Sequence, residues 1–275
     1  MKRVAAIQMA SGPMVGANLT EAGRLISRAA DAGAELVVLP ENFAIMGMND
    51  REMLKVKEAP GEGHIQAFLA ETADKHRVWL VAGTIPMACE DSGHVRSACL
   101  VYDDKGEVKA RYDKVHLFDV HLQESSETYE ESATIEPGNA VTVVDTPFGR
   151  MGLAVCYDLR FPELFRRMVD EGAEVFAIPS AFTAMTGKAH WEILLRARAI
   201  ENLGYVIAAA QGGYHVNGRE THGDSMIIDP WGTVLDHLPR GSGYVLADID
   251  LEMVHNTRRN FPALSHRKIP CNIKK

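Results

Sequence analysis

Three residues in this chain have the types and the settings for chemistry on a carbonyl. Cys156 stands at the end of the apolar run "GLAVCYD" and leads directly into Asp158 and Arg160. Glu41 follows the apolar "VVLP", where a carboxylate needs a partner or an upward-shifted pKa if it is buried. Lys114 lies in "YDKVHLFD", at the end of another strand-like run. A cysteine is the strongest side-chain nucleophile near neutral pH, but a free thiol, with pKa about 8.5, is mostly protonated there and needs a base or a cation. Glu41 and Lys114 are such groups. Each residue also has a plain structural role open to it: a packed thiol, a helix-capping or surface acid, an edge-strand lysine. Asp158 and Arg160 could equally be an ion pair across a turn.

The elements that carry these residues read as a duplicated unit. "DAGAELVVLPENF" (31 to 43) matches "DEGAEVFAIPSAF" (170 to 182), and each follows an apolar run, "VAAIQMA" or "MGLAVCYD". Helical patterns, "NLTEAGRLISRAADAG" and "FPELFRRMVDEGAE", separate the runs in each pair. That is strand, helix, strand, twice, which implies parallel pairing and a ligand edge at the strands' carboxyl ends. "SACLVYDDKGEVKARYDKVHL" and "VTVVDTPFGRMGLAVC" read as hairpins. "WLVAGTIP", "YVIAAAQ", "SMIIDPWGTVLDHL" and "GYVLADID" each read as a strand. "GKAHWEILLRARAIENLG" reads as a helix closed by Gly204. "LQESSETYEES" (122 to 132) has no periodicity and reads as an acidic surface loop. The residues alone thus predict an α/β domain over 1–275, with a mixed sheet, outer helices and a solvated tail from about 262 to 275.

Bulk properties narrow the function. A net charge of −8 in 275 residues lacks the basic footprint of a nucleic-acid binder, and the one basic cluster is the terminal "HRKIPCNIKK". No apolar run approaches the roughly 20 residues of a membrane span, and the N-terminal "RVAAIQMA" is too short for a signal-peptide core, so a cytoplasmic protein is expected. Cys89, Cys99, Cys156 and Cys271 form no CxxC pair, and the eleven histidines show no ligand spacing, so no metal is expected. Phosphate-loop, HExxH and GxSxG patterns are missing; "HGDSM" has no glycine in the required place.

"LPENF", "KVHLFD" and "GLAVCYDLRFPEL", in this order, resemble the glutamate, lysine and cysteine signatures of the nitrilase superfamily of carbon–nitrogen hydrolases. The resemblance runs from the first strand to "NFPALSHRK". It implies a four-layer α-β-β-α sandwich, a homodimer or larger homo-oligomer formed near the nucleophile helix, a small-molecule amide substrate, and no metal or organic cofactor. It further implies that Glu41 takes the Cys156 proton, that Cys156 forms a thioester, and that Lys114 and the Tyr157 N–H steady the oxyanion. Glu131, in "YEES", matches a second family glutamate that positions substrate or Lys114. "TGKAHWEILLRARAIENLGYVIAAAQGG" (186 to 213) followed by "DPWGTV" is similar to the deaminated glutathione amidase branch, whose reaction yields 2-oxoglutarate and cysteinylglycine. A 2-oxo acid end needs a clamp, for which Arg160 and the "AFTAMTG" loop with Phe182 and Thr183 are candidates. The alternatives are an ω-amidase acting on 2-oxoglutaramate, another amidase, nitrilase or carbamoylase of the superfamily, a Cys-His hydrolase, and a non-catalytic binding protein on the same fold.

Overall fold

The computed structural model describes residues 1–122 and 127–269. In chain order its elements are β1 (Lys2–Gln8), α1 (Val15–Asp31), β2 (Leu36–Val38), α2 (His64–His76), β3 (Trp79–Val81), β4 (Ile85–Ala88), β5 (Val95–Tyr102), β6 (Val108–Asp113), β7 (Asp119–Leu122), β8 (Glu127–Glu130), β9 (Val143–Thr146) and β10 (Gly149–Leu153). Then come α3 (Pro162–Asp170), β11 (Val175–Ser180), α4 (Ala184–Asn202), β12 (Tyr205–Ala210), β13 (Gly212–Tyr214), β14 (Glu220–His222), β15 (Ser225–Ile228), β16 (Val234–Leu238), β17 (Gly243–Ile249) and α5 (Leu251–Asn260).

Side-chain alternation explains the layering. In β1, Ala5 and Ile7 pack with Leu25 and Ile26 of α1 and Leu69 of α2. Val4 and Ala6 face the other way, into a core shared with Met151 and Leu153 of β10. A strand buried on both faces reads as a continuous apolar run, which is why β1, β11 and β12 stood out in the sequence. The second sheet repeats the scheme outward, with Phe165 of α3 and Trp191 and Leu195 of α4 buried in the same core. The result is helices, sheet, sheet, helices, the α-β-β-α sandwich of the resemblance. It is built from two sheets where the residues alone suggested one.

The first sheet runs β17-β1-β2-β3-β5-β4, with β6 also on β5, and the second runs β16-β15-β12-β11-β10-β9. The duplicated unit is present in both. β1 pairs parallel with β2 in the register Val4↔Leu36, and β10 with β11 in the register Met151↔Val175.

Several sequence expectations need correction. "WLVAGTIP" is two strands, broken at Gly83, whose φ of 57° lies in the left-handed region. A Cβ there would collide with the Pro40 carbonyl, so this glycine lets the chain press against the loop that bears Glu41. "SMIIDPWGTVLDHL" is the β15–β16 hairpin, turned where Asp229 Oδ1 accepts from the Trp231 and Thr233 N–H groups at 2.8 and 2.9 Å. The acidic "LQESSETYEES" stretch holds part of the β7–β8 hairpin and the 3₁₀ turn Glu131–Ala133. Helix α4 ends on Leu203 at φ 47°; Gly204 follows it and is needed because a Cβ would meet the Glu174 carbonyl oxygen at 2.7 Å. Helix α2 carried no signal that the sequence reading used. Of the expected tail, residues 270–275, including Cys271, lie outside the described residues.

Candidate active site

The three chemistry-bearing residues arrive from separate elements at one cleft. Glu41 follows β2 by way of Leu39, whose N–H bonds to the Val81 carbonyl at 2.9 Å, and Pro40. Asn42 then takes a left-handed φ of 56°, and its N–H donates to Thr84 Oγ1 at 2.9 Å. The Glu41 carbonyl accepts from Gln211 Nε2 at 3.0 Å, which ties this loop to the second sheet. Lys114 comes directly after β6, its N–H on the Ser97 carbonyl at 3.0 Å. Cys156 opens the 3₁₀ turn Cys156–Arg160 after β10, with φ at 49°.

A left-handed φ at a non-glycine residue costs about 1 kcal/mol or more and persists only where neighbours enforce it. Asp158 supplies that enforcement. Its fully buried carboxylate accepts from the Val155 N–H at 2.8 Å, the Tyr112 hydroxyl at 2.6 Å, the His116 N–H at 3.1 Å and His116 Nδ1 at 2.7 Å. Tyr112 and His116 flank Lys114 in the chain, so one carboxylate fastens the cysteine's turn to the lysine's segment. The Asp158–Arg160 ion pair considered from the sequence does not form.

Lys114 Nζ donates to Glu41 Oε1 at 2.7 Å and to Glu131 Oε1 and Oε2 at 2.8 and 2.9 Å. Glu131 Oε2 also accepts from the Phe118 N–H at 2.6 Å. Glu41 and Lys114 are only 3% and 2% exposed, and Cys156 8%. Burial works against the lysine's charge, but the Glu131 and Glu41 carboxylates outweigh it and hold the Lys114 pKa well above its ordinary value. Burial raises the Glu131 carboxyl, with Lys114 opposing. Burial and then the Glu41 charge push the Cys156 thiol well above its ordinary pKa, against the pull of Lys114 and the Ala181 N–H. The resting set is therefore a protonated thiol beside a carboxylate that can accept its proton, with a fixed ammonium alongside. The ammonium occupies the place between the two carboxylates where a cation would sit. Among the described residues no group of three or more His, Cys, Asp or Glu side chains could hold a metal ion.

The cleft encloses about 700 Å³, part of it open to solvent. Arg160 lies on its wall, 5.8 Å from the Tyr157 ring centroid and 5.3 Å from that of Phe182, with Nη1 3.2 Å from His190 Nδ1. Thr183 is the N-cap of α4, its hydroxyl accepting from the Thr186 N–H at 3.3 Å. Tyr157 is the second residue of the cysteine's turn, and the first N–H groups of such a turn have no partner within it. All the residues singled out from the sequence thus line or flank one cleft. Sequence reasoning missed Phe118, Tyr129 and Arg219, which also line it. Phe118 was inside a quoted motif, but nothing in the chain signals that β7–β8 and the β13–β14 hairpin meet there.

Comparison with known proteins places this architecture. The profile of the family described as carbon-nitrogen hydrolase matches residues 3–259. A Synechocystis protein named deaminated glutathione amidase is 44% identical over 96% of this chain and 97% of its own length. The crystal structure of the Caenorhabditis elegans NitFhit protein is similar with a TM-score of 0.89 at 39% identity, covering 97% of this chain and 65% of that one. Saccharomyces cerevisiae Nit3, described as a member of branch 10 of the nitrilase superfamily, gives 0.87 at 31% identity over 98% and 97% of the two chains. With a match that reaches from the first strand into the last helix, this chain belongs to the carbon–nitrogen hydrolase family.

Proposed function

We propose that this protein is an amidase that hydrolyses deaminated glutathione through a thioester on Cys156, releasing 2-oxoglutarate and cysteinylglycine. The observation that carries the reading is the burial of Cys156 beside Glu41 and Lys114 in a cleft that also holds Arg160. The names of the relatives at about this degree of identity support the substrate.

In the proposed sequence Glu41 accepts the thiol proton as Sγ attacks the amide carbonyl carbon. A thiol whose pKa is raised by burial and by Glu41 is not a preformed thiolate, so proton transfer must accompany attack. The developing oxyanion is met by the Lys114 ammonium and the Tyr157 N–H; each such donor is worth about 10²–10³ in rate. Glu131 holds the ammonium in position from the far side. The tetrahedral species collapses, its C–N bond breaks, and the amine leaves with the proton that Glu41 carried. Glu41, again a carboxylate, then takes a proton from water as the oxygen attacks the thioester; the C–S bond breaks and the thiol is restored. Arg160, with Phe182 and Thr183 beside it, grips the carboxylate of the 2-oxo acid, for which a guanidinium offers two parallel hydrogen bonds.

The test is a parallel assay of deaminated glutathione and 2-oxoglutaramate, following 2-oxoglutarate release, with intact-mass detection of the acylated Cys156. A kcat/KM well above that for 2-oxoglutaramate is expected. Preference for 2-oxoglutaramate assigns the ω-amidase activity instead, and hydrolysis of neither removes the substrate assignment.

Two further parts of the reading are a homo-oligomer and a cytoplasmic location. Ile193 and Ile200 on the outer face of α4 are 70% and 47% exposed, which suits a face that a second copy covers, and light scattering would report the mass. Cys89, Cys99 and Cys156 are unpaired, which suits a reducing compartment. No described helix is long and apolar enough to cross a membrane.

A further inference from the structure

The cleft carries a second guanidinium that the reaction steps above leave unused. Arg219 lies over the Tyr129 ring, 4.5 Å from its centroid. Tyr129 packs on Phe118 at 5.1 Å between centroids, and Phe118 on Tyr157 at 5.0 Å. Tyr157 adjoins the nucleophile and lies under Arg160. One wall of the cleft therefore carries the rings of Tyr129, Phe118 and Tyr157 in a row, with Arg219 over the first and Arg160 over the third. Arg219 is half-buried, and no carboxylate among the described residues pairs with it, although Glu130 and Asp50 line the same cleft.

The hairpin presenting Arg219 is tied down. The Arg219 N–H donates to Asn217 Oδ1 at 3.0 Å, and its carbonyl accepts from the His215 N–H at 2.9 Å. His215 is buried, with Nδ1 2.8 Å from the Ser11 carbonyl oxygen and Nε2 2.8 Å from Thr221 Oγ1. Asn217 Nδ2 reaches the Gly47 carbonyl at 3.2 Å, across to the loop after Glu41. A cation held on a fixed turn over an aromatic face is suited to a planar anion rather than to bulk water.

We propose that Arg219 is a specificity-determining residue that binds the C-terminal carboxylate of the leaving group, so that the cleft selects an amide with a carboxylate on each side of the scissile bond. This rests on the substrate proposed above. Deaminated glutathione has one carboxylate at its 2-oxo acid end and another on its glycine, separated from the scissile amide by comparable numbers of bonds. Arg160 meets the first and Arg219 the second. 2-Oxoglutaramate offers only the first, so Arg219 accounts for discrimination between two substrates that form the same acyl-enzyme.

The experiment measures kcat and KM for the wild type, Arg219→Gln and Arg219→Lys on three amides with the same acyl group: deaminated glutathione, its C-terminal carboxamide, and 2-oxoglutaramate. All three release 2-oxoglutarate. Loss of one charged hydrogen-bonding contact is worth about 10–100-fold. Arg219→Gln is expected to lower kcat/KM for deaminated glutathione by that factor more than for the other two, chiefly through KM. Arg219→Lys should recover part of the loss, and wild type should use the carboxamide about as poorly as Arg219→Gln uses the acid. Equal losses on all three amides would show that Arg219 merely supports the fold, and would overturn the proposal while leaving the substrate reading intact. A wild-type enzyme inactive on deaminated glutathione overturns both.

Discussion

The two βαβ units of this molecule are built alike and furnished differently. Their registers, Val4↔Leu36 and Met151↔Val175, make Met9 the counterpart of Cys156 and Ser180 the counterpart of Glu41. In the first unit the second strand leads to Glu41, and the first leads to buried Met9. In the second unit the first strand leads to Cys156, and the second ends in buried Ser180. The backbones diverge at the same place. Met9 stays extended in a bridge to Gln211, whereas Cys156 turns into the left-handed region and opens a 3₁₀ turn. The comparison teaches that a repeated unit supplies the carboxyl-edge location twice, while bringing the cysteine to the cleft needs a local departure from the ladder. That departure is held by Asp158.

The largest expected effect comes from truncating the side chain at the first-strand end of each unit. Cys156→Ala should lower amide turnover by at least about 10⁴-fold with thermal unfolding little changed. Met9→Ala, at the matching position, should cost about 2–5 kcal/mol of stability instead, as core truncations do. Comparable turnover by Cys156→Ala and wild type would end the thioester mechanism.

Next is the other strand end. Glu41→Gln should reduce kcat by about 10²–10⁴-fold, the range for loss of a general base. Ser180→Ala, whose hydroxyl only reaches the Ile178 carbonyl at 3.4 Å, should leave kcat within a few-fold. A Glu41→Gln protein as active as Ser180→Ala would assign the base elsewhere.

A smaller effect is expected at the device that separates the units. Asp158→Asn keeps the shape but turns one acceptor into a donor, so the bonds from Tyr112, Val155 and His116 cannot all persist. Stability should fall by about 1–3 kcal/mol, and kcat should fall while KM changes less. Denaturant melts and steady-state kinetics read the two; a full-strength enzyme with unchanged melting would show that the turn holds itself.

The smallest effect is the most discriminating. Because burial and the Glu41 charge raise the Cys156 pKa, iodoacetamide should modify the resting enzyme slowly at pH 7 and faster as pH rises. Glu41→Gln removes one raising influence and leaves the lowering pull of Lys114, so the alkylation profile should move several-fold faster at pH 7 even though turnover drops. Slower alkylation in that variant would mean that Glu41 promotes thiolate formation in the resting state.

What was legible in the chain followed from local periodicity and motif. Runs buried on both faces gave away β1, β2, β11 and β12, and the matched words around Glu41 and Phe182 gave away the repeat. The Pro162 start of α3 was legible because proline is tolerated in the first helical turn. The failures have local causes too. Gly83 breaks a run otherwise rich in apolar and β-branched residues, and a short turn at Asp229 folds one apparent strand into two. The outcome at Leu203 reversed the expected cap, since glycine was required next door for close packing and not for its φ.

By itself the sequence determined the type of most elements, the duplicated unit, and which acid, lysine and cysteine stand at strand ends. These depend on neighbours a few residues apart, and the side-chain period records them. Only the tertiary structure decided that Lys114 sits between Glu41 and Glu131, that Asp158 locks the cysteine's turn to Tyr112 and His116, and that Arg219 reaches the wall begun by Tyr157. Those meetings join segments far apart in the chain. They arise because two sheets bury their inner faces against each other, and no local pattern encodes which distant charges that burial brings together.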